Sequence, residues 1–248
     1  MLLDEYLRKY PKLALAYSGG VDSSFLLYAA KNAGCDVSAY FIKSQFQPRF
    51  ELDDAARMTD LLGVPLIVGT LDVLNEPSII NNPADRCYYC KKAIFTKLWE
   101  LVRADGIAVL FDGSNADDDE TDRAGMRATQ ELSVISPLRD CGLKKADIRL
   151  LSKQAGLFTH DKPSYACLAT RIPTGSVITG ELLEVIERSE DKLFEMGFSD
   201  FRVRIIPPST AKIQMPAAQW DIAAARRGEI LAAVQNDFDS VVLDLQQR

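Results

Sequence analysis

Apolar and polar positions along this chain change their period repeatedly. Leu13 to Tyr17 is an unbroken apolar run, as in a strand covered on both faces, whereas apolar residues from Ser23 to Ala33 recur at helical spacing. Val37 to Ile42, Pro65 to Val68 and Ala108 to Phe111 then read as strands; Glu51 to Leu62, Ala93 to Ala104 and Lys145 to Ala155 read as helices. Strands that take turns with helices predict an α/β fold, a parallel sheet with helices on both faces. Such sheets bind ligands beyond the carboxyl ends of their strands. Two polar segments fall at such ends, SGGVDSS after the first strand and DGSNADD after Phe111.

The rhythm breaks at HDKPSYACLATRIPTGS, whose prolines and glycines argue for a loop. A domain boundary near Gly175 follows, with residues 1–174 as the α/β domain and 175–248 as a small α+β domain. In the latter, Glu181 to Met196 reads as an amphipathic helix, Phe201 to Ile206 and Lys212 to Met215 as strands, Ala217 to Ala225 as a helix and Ser240 to Asp244 as a final strand.

With 248 residues and 47% hydrophobic composition, the chain can bury substantial cores. The opening MLLDEYLRKYPK mixes acids and bases, and no apolar stretch approaches the length of a membrane span. A soluble, cytoplasmic protein without a membrane partner is expected. The five cysteines then sit in a reducing compartment, as metal ligands or reactive thiols rather than a disulfide framework. A net charge of −6 disfavours a broad nucleic-acid-binding face and favours a small-molecule partner.

A glycine-rich turn that opens a helix points several backbone N–H groups outward, and the helix dipole adds positive potential, so phosphate binds there readily. Ser18, Ser23 and Ser24 can add hydroxyl donors. The lysine of a Walker loop is missing, since GGVDSS offers Val21 and Asp22 in its place. For SGG alone, a tight turn with a serine helix cap is an equal reading. The whole string SGGVDSS resembles the pyrophosphate loop of the PP-loop ATP pyrophosphatase superfamily, which cleaves ATP to AMP and pyrophosphate while adenylating a substrate oxygen. That resemblance implies that Ser18, Gly19, Gly20, Asp22, Ser23 and Ser24 hold the pyrophosphate part of ATP. Asp22 would act through Mg²⁺, because a carboxylate beside a triphosphate needs a cation between them. The superfamily also places a segment like GSNADD beside the nucleotide, which implicates Asn115 and Asp118, with Arg123 as a nearby charge partner for phosphate.

Cys87 and Cys90, in RCYYCKK, have a spacing at which both thiolates can reach one metal. Inert thiols at a helix start are the alternative. Cys167 is a third candidate, in a loop where Lys162 and Arg171 could lower a thiol pKa. Arg202 and Arg204 share one strand face and make a plausible phosphate clamp; edge-strand arginines paired with surface acids are the other reading.

Taken together, SGGVDSS, GSNADD, SPLRDCGLKKADIRLLSKQAGL, DKPSYACLATRIPTG and FRVR resemble the LarE family of ATP-dependent sulfur transferases. The resemblance implies adenylation of a carboxylate of pyridinium-3,5-biscarboxylic acid mononucleotide and its conversion to a thiocarboxylate, in the making of a nickel-pincer nucleotide cofactor. It implies the type in which Cys87, Cys90 and Cys167 hold a [4Fe-4S] cluster; in other members the loop cysteine gives up its own sulfur. It supports the phosphate role of Arg202 and Arg204, implicates Glu190 and Asp221 as carboxylates near the substrate phosphate and a divalent ion, and suggests a homo-oligomer built through the C-terminal part. This chain departs from the family pattern after FRVR, where Ile205, Ile206 and Gln214 replace the usual histidine and acidic positions. The single histidine, His160, reads as loop structure rather than a general base. A tRNA thiolase and a nucleotide-binding regulator without turnover are the competing readings; salt-sensitive tRNA binding would mark the first and absence of pyrophosphate release the second.

Overall fold

The computed structural model describes residues 2–118 and 123–246, and of residues 123 and 124 the backbone alone. The elements run, in chain order, α1 (Leu3–Leu7), β1 (Lys12–Ala16), α2 (Val21–Asn32), β2 (Asp36–Lys43), α3 (Arg49–Leu62), β3 (Leu66–Thr70), α4 (Pro77–Ile80), α5 (Arg86–Ala104), β4 (Leu110–Phe111), α6 (Arg123–Glu131), α7 (Pro137–Asp140) and α8 (Lys145–Gln154). They continue with α9 (Gly180–Glu195), β5 (Arg202–Ile206), β6 (Thr210–Gln214), α10 (Trp220–Ala225), α11 (Arg227–Val234) and β7 (Ser240–Leu243). No described helix is long and apolar enough to cross a membrane.

Two compact units form. The first comprises Met1–Ser44, Arg49–Val73 and Asp85–Lys162; the second comprises Gln45–Pro48, Leu74–Ala84 and Pro163–Arg248.

In the first unit, the strands lie in the order β3-β2-β1-β4, and every pairing is parallel. The alternation of side chains sorts the sheet residues onto two faces. Leu13, Leu15, Val37, Ala39 and Phe41 join one core, which includes Phe25, Leu26 and Leu27 of α2, Met58 of α3 and Ile148 of α8. Ala14, Tyr40 and Ile42 join the other, with Phe95, Leu98 and Trp99 of α5. A central strand buried on both faces must be apolar throughout, which is why LALAY carries no polar alternation. The α/β sheet with helices on both faces is thus borne out.

The chain goes outward from β1 to β2 and β3 and then returns to place β4 on the opposite side of β1. The order therefore reverses between β1 and β4. A cleft opens at such a reversal because the two following loops diverge.

Several local expectations shift. The helix expected from Ala93 begins at Arg86, so both Cys87 and Cys90 lie within it. The strand expected over Ala108 to Phe111 shortens to two residues, because only Leu110 and Phe111 pair with Ala14 and Leu15. Helices α1, α4, α6, α7 and α11 had no counterpart in the apolar pattern.

The second unit holds the sheet β5-β6-β7, antiparallel between β5 and β6 and parallel between β6 and β7. Its division from the first unit falls after Lys162 rather than near Gly175. The reason is a set of hydrogen bonds. Asn82 Nδ2 donates to the carbonyls of Ile172 (3.3 Å) and Pro173 (2.8 Å), while Gly175 N–H donates to Asn82 O and Ile178 N–H to Ile80 O, each at 2.8 Å. Leu168 N–H likewise donates to Phe46 O at 2.9 Å. Segments distant in sequence are thereby joined.

Asn82 is buried and sits at φ 50°, a conformation asparagine tolerates better than most residues. Asn82→Ala strands one buried and one half-buried carbonyl and keeps the left-handed backbone, which should cost about 2–4 kcal/mol. A lowered urea midpoint for the second unit, followed by a probe placed in that unit, is the expected outcome.

Candidate active site

The cradle forms where β1 ends. Ser18 is exposed, Gly19 takes φ +70°, and Gly20 caps the first turn of α2. A Cβ on Gly19 would stand 2.9 Å from the carbonyl oxygen of Glu51, so both the angle and the space require glycine. The three serines differ in use. Ser18 Oγ and Ser23 Oγ lie 3.0 Å apart, and Ser23 Oγ also donates to Gly20 O. Ser24 is fully buried, with Oγ 2.9 Å from the Tyr17 hydroxyl. Ser24 therefore holds α2 to the end of β1, while Ser18 faces outward.

The DGSNADD segment closes on this loop from β4. A Cβ on Gly113 would meet the backbone nitrogen of Ser23 at 2.9 Å, so the two loops touch through backbone alone. The segment is braced internally and from behind. Asn115 N–H donates to Asp118 Oδ2 and Asp117 N–H to Asn115 Oδ1; Ser114 Oγ donates to Asp112. From the SPLRDCGLKK stretch, Arg139 donates to the carbonyls of Asn115 and Asp118, and Lys145 N–H donates to Asp117 Oδ2. Asn115 is buried and Asp118 exposed. The Arg123 side chain lies outside the described residues.

Asp22 is the electrostatic centre of the cradle. Its Oδ2 accepts from Lys145 Nζ at 2.5 Å, whereas Oδ1 is buried and makes no hydrogen bond of good geometry among the described residues. Burial raises its pKa above the usual carboxylate value, Lys145 works against that, the charge of Asp118 adds to the rise, and the Asn115 side chain lowers it. A carboxylate with one paired oxygen and one buried, poorly matched oxygen offers a ligand to a cation, and the charge of a second carboxylate, Asp118, is felt there. This fits Mg²⁺.

A second lysine ties the loop down. Lys162 Nζ donates to Gly19 O (3.1 Å) and Asp54 (2.5 Å) and lies over the Phe50 ring. Lys162 was expected to act on the Cys167 thiol; its ammonium is instead committed to Gly19 O and Asp54. His160 Nδ1 lies 2.9 Å from Leu157 O, in keeping with a structural role in its turn.

Within the second unit, Arg171 and Glu190 form an ion pair with side chains 0% and 1% exposed. Arg171 Nε and Nη2 donate to the two Glu190 oxygens at 2.9 Å, and Nη1 reaches the carbonyls of Ala166 and Cys167 and the Thr170 hydroxyl. Tyr165 donates its hydroxyl to Glu190, and Val203 N–H does so at 2.8 Å. The Tyr165 ring lies between the guanidiniums of Arg171 and Arg202, 4.4 and 4.6 Å from its centroid. Arg202 is buried and donates to the carbonyls of Phe201 and Ser164. Arg204 donates to Gln214 and Thr170 O and, with Lys212, lines a cleft of about 350 Å³. Of the two expected clamp arginines, Arg204 opens on a cavity and Arg202 braces the Cys167 loop.

No family model matches the chain. It is 32% identical over 248 residues to an uncharacterized protein of Synechocystis sp., covering 98% of this chain and 92% of that one. It is 30% identical over 215 residues to the pyridinium-3,5-bisthiocarboxylic acid mononucleotide synthase of Lactiplantibacillus plantarum, covering 86% and 78%. The chain belongs to the LarE family. A more distant likeness, 28% over 189 residues with 61% and 54% coverage, links it to the tRNA-specific 2-thiouridylase MnmA of Pseudothermotoga lettingae.

The remaining residues implied by the LarE resemblance are placed as follows. All five cysteines are thiols, none in a disulfide. Cys87 and Cys90 stand one turn apart on α5, Cys87 exposed and 3.7 Å from Arg86 Nη2. They belong to the first unit and Cys167 to the second. Among the described residues, no three His, Cys, Asp or Glu side chains are gathered as a metal site. Glu190 serves as the counterion of Arg171, and ligation of a divalent ion would require Arg171 to give way. Asp221 is exposed in the first turn of α10.

Sequence reasoning assigned no site role to Lys145, Arg139 or Asp54 and did not see the Arg171–Glu190 pair. The signal was present only as the LarE-like stretches SPLRDCGLKK and ATRIP, whose charged residues find partners far away in the chain. Two outcomes follow. Gly113→Ala should weaken ATP binding at least about tenfold in calorimetry, because the added methyl forces the two loops apart at a backbone contact. Glu190→Gln leaves a buried guanidinium without its counter-charge and should destabilise the second unit by about 3–5 kcal/mol in chemical denaturation.

Proposed function

We propose that this protein is an ATP-dependent sulfurtransferase that adenylates a carboxylate of pyridinium-3,5-biscarboxylic acid mononucleotide and converts it to a thiocarboxylate, a step in nickel-pincer nucleotide biosynthesis. Membership of the LarE family supports sulfur transfer in the synthesis of the bisthiocarboxylate mononucleotide. The observation that carries the adenylating step is the half-satisfied Asp22 carboxylate, set at the start of α2 where the backbone of Gly113 meets that of Ser23.

The chemistry requires such a place. A carboxylate resists a sulfur nucleophile because attack would have to expel oxide. Its oxygen first attacks the α-phosphorus of ATP, the bond to the β-phosphate oxygen breaks, and pyrophosphate leaves. Sulfide then adds to the acyl carbon and AMP departs with the original oxygen. The chain's own contribution is positioning and charge: the first-turn N–H groups of α2 and the Ser18 hydroxyl for the pyrophosphate, Asn115 and Asp118 beside the nucleotide. Bound through Asp22, and with Asp118 close by, Mg²⁺ would neutralise charge between carboxylates and phosphates. Arg204 and the cleft beside it suit the phosphate of the mononucleotide.

Sulfur delivery through a [4Fe-4S] cluster held by Cys87, Cys90 and Cys167 is part of the proposal. Thiolates are the donors such clusters take, and the helical spacing of Cys87 and Cys90 lets both address one metal centre. Arg171 fixes the backbone on which Cys167 is presented. Assembly as a homo-oligomer through the second unit also belongs to this reading; β7 is an edge strand, and Val242, Leu243 and the following Leu245 are exposed.

Incubation with ATP, sulfide and the biscarboxylated mononucleotide should release pyrophosphate only when the mononucleotide is present and yield thiocarboxylate. Pyrophosphate release that depends on tRNA instead, or ATP binding without release, would point to the thiolase or the regulator. Anaerobic purification should give a coloured protein with stoichiometric iron and sulfide; a colourless protein whose Cys167 loses H₂S after turnover would show the sacrificial route. The raised pKa of Asp22 gives a pH test. The acid is the form that burial favours, so its contribution to stability is present below the ordinary value of 3.8 and is lost as pH rises through its folded value. Mg²⁺-dependent nucleotide binding has the opposite slope, strengthening over that same rise, and Asp22→Asn should flatten both.

A further inference from the structure

The loop lacks the lysine of a Walker motif, yet the fold brings one to it from elsewhere. Lys145 is the first residue of α8, and its Nζ lies 2.5 Å from Asp22 Oδ2, in the first turn of the helix whose N–H groups face the cradle. The backbone of Lys145 is anchored separately, through the bond from its N–H to Asp117 Oδ2 at 2.8 Å. Its side chain is 30% exposed, against 18% for the side chain of Lys162.

The two lysines are bound differently. Lys162 is held by a carbonyl, a carboxylate and an aromatic face, and so is a fixed brace. Among the described residues Lys145 Nζ meets a single carboxylate, on a fixed Cα and a flexible stem. That carboxylate keeps a buried oxygen that makes no hydrogen bond of good geometry among the described residues and is thus a ligand for a second cation. A dication on Oδ1 would repel the ammonium on Oδ2 over a few ångströms of partly dry space, just as phosphate oxygens arrive beside it.

We propose that Lys145 is a phosphate ligand held in waiting on Asp22, serving as the resident counter-cation of the empty loop and passing to the pyrophosphate oxygens when a divalent ion takes the carboxylate. This rests on the reading of residues 18–24 as a pyrophosphate loop.

The test is binding, without turnover. Mn²⁺ affinity is read by electron paramagnetic resonance in the absence of anions, and pyrophosphate affinity by calorimetry with and without Mg²⁺. Lys145→Met should bind Mn²⁺ alone several-fold more tightly than the wild type, having lost the competing cation, and should bind pyrophosphate with Mg²⁺ about 10–100-fold more weakly, having lost a charge-assisted donor. Lys145→Arg, which keeps the charge, should stay near wild type for both. Asp22→Asn provides a second route should Lys145→Met fold poorly: it releases the ammonium without removing it, so metal-free pyrophosphate binding should strengthen, and adding Lys145→Met should abolish that gain. A purely structural lysine gives losses of the same sign for cation and anion in Lys145→Met and no gain in Asp22→Asn; either result overturns the proposal. Wild-type protein that fails to bind pyrophosphate with Mg²⁺ overturns the loop reading itself.

Discussion

Because β1 lies between β2 and β4 with all three strands parallel, the chain must leave both β1 and β4 at the same edge of the sheet. Everything at the cradle follows from that constraint. The loop after β1 turns into α2, the segment after β4 turns the other way, and Gly113 lets their backbones meet at Ser23. No side chain would fit at that contact. The apolar interior of β1 and the glycines beyond it thus answer one requirement, a buried central strand that ends in an opening.

Charge is then supplied from outside the opening. SGGVDSS contains an acid and no base, and the opposing charges come from Lys145 and Lys162, far along the chain. In the second unit the same economy appears in reverse. Arg171 spends its donors on Glu190, two carbonyls and a hydroxyl, so its fixed planar fork orders the Cys167 loop while its charge is matched in full. A lysine there, with fewer donors and no plane, could not replace it.

Much of this was legible in the chain. Apolar runs exposed the strands of the first sheet because burial on both faces leaves no polar residue to confuse the period. The loop motifs marked where β1 and β4 open outward, because glycines that allow close backbone approach stand out in the sequence. What stayed hidden had physical reasons. Helix α1 is too short to show a period, α6 follows directly on an acidic run, and α11 carries Gly228 near its start, where helical preference is weak. Long-range ion pairs leave no local trace at all, so Lys145 and the partner of Arg171 could not be found by spacing. The serines also looked equivalent, and only the Tyr17 hydroxyl separates Ser24 from Ser18.

Asn82 carries one further implication. The second unit gathers pieces from three places in the chain, and a buried amide fastens the middle piece to the stretch that leads into α9. Proteins assembled by end-to-end fusion have a single seam and can be severed or exchanged there. This one is stitched more than once, so the cysteine loop and the arginine cleft would not survive excision as a contiguous C-terminal fragment, and grafting them onto another parallel sheet would need two internal insertions as well as a new tail.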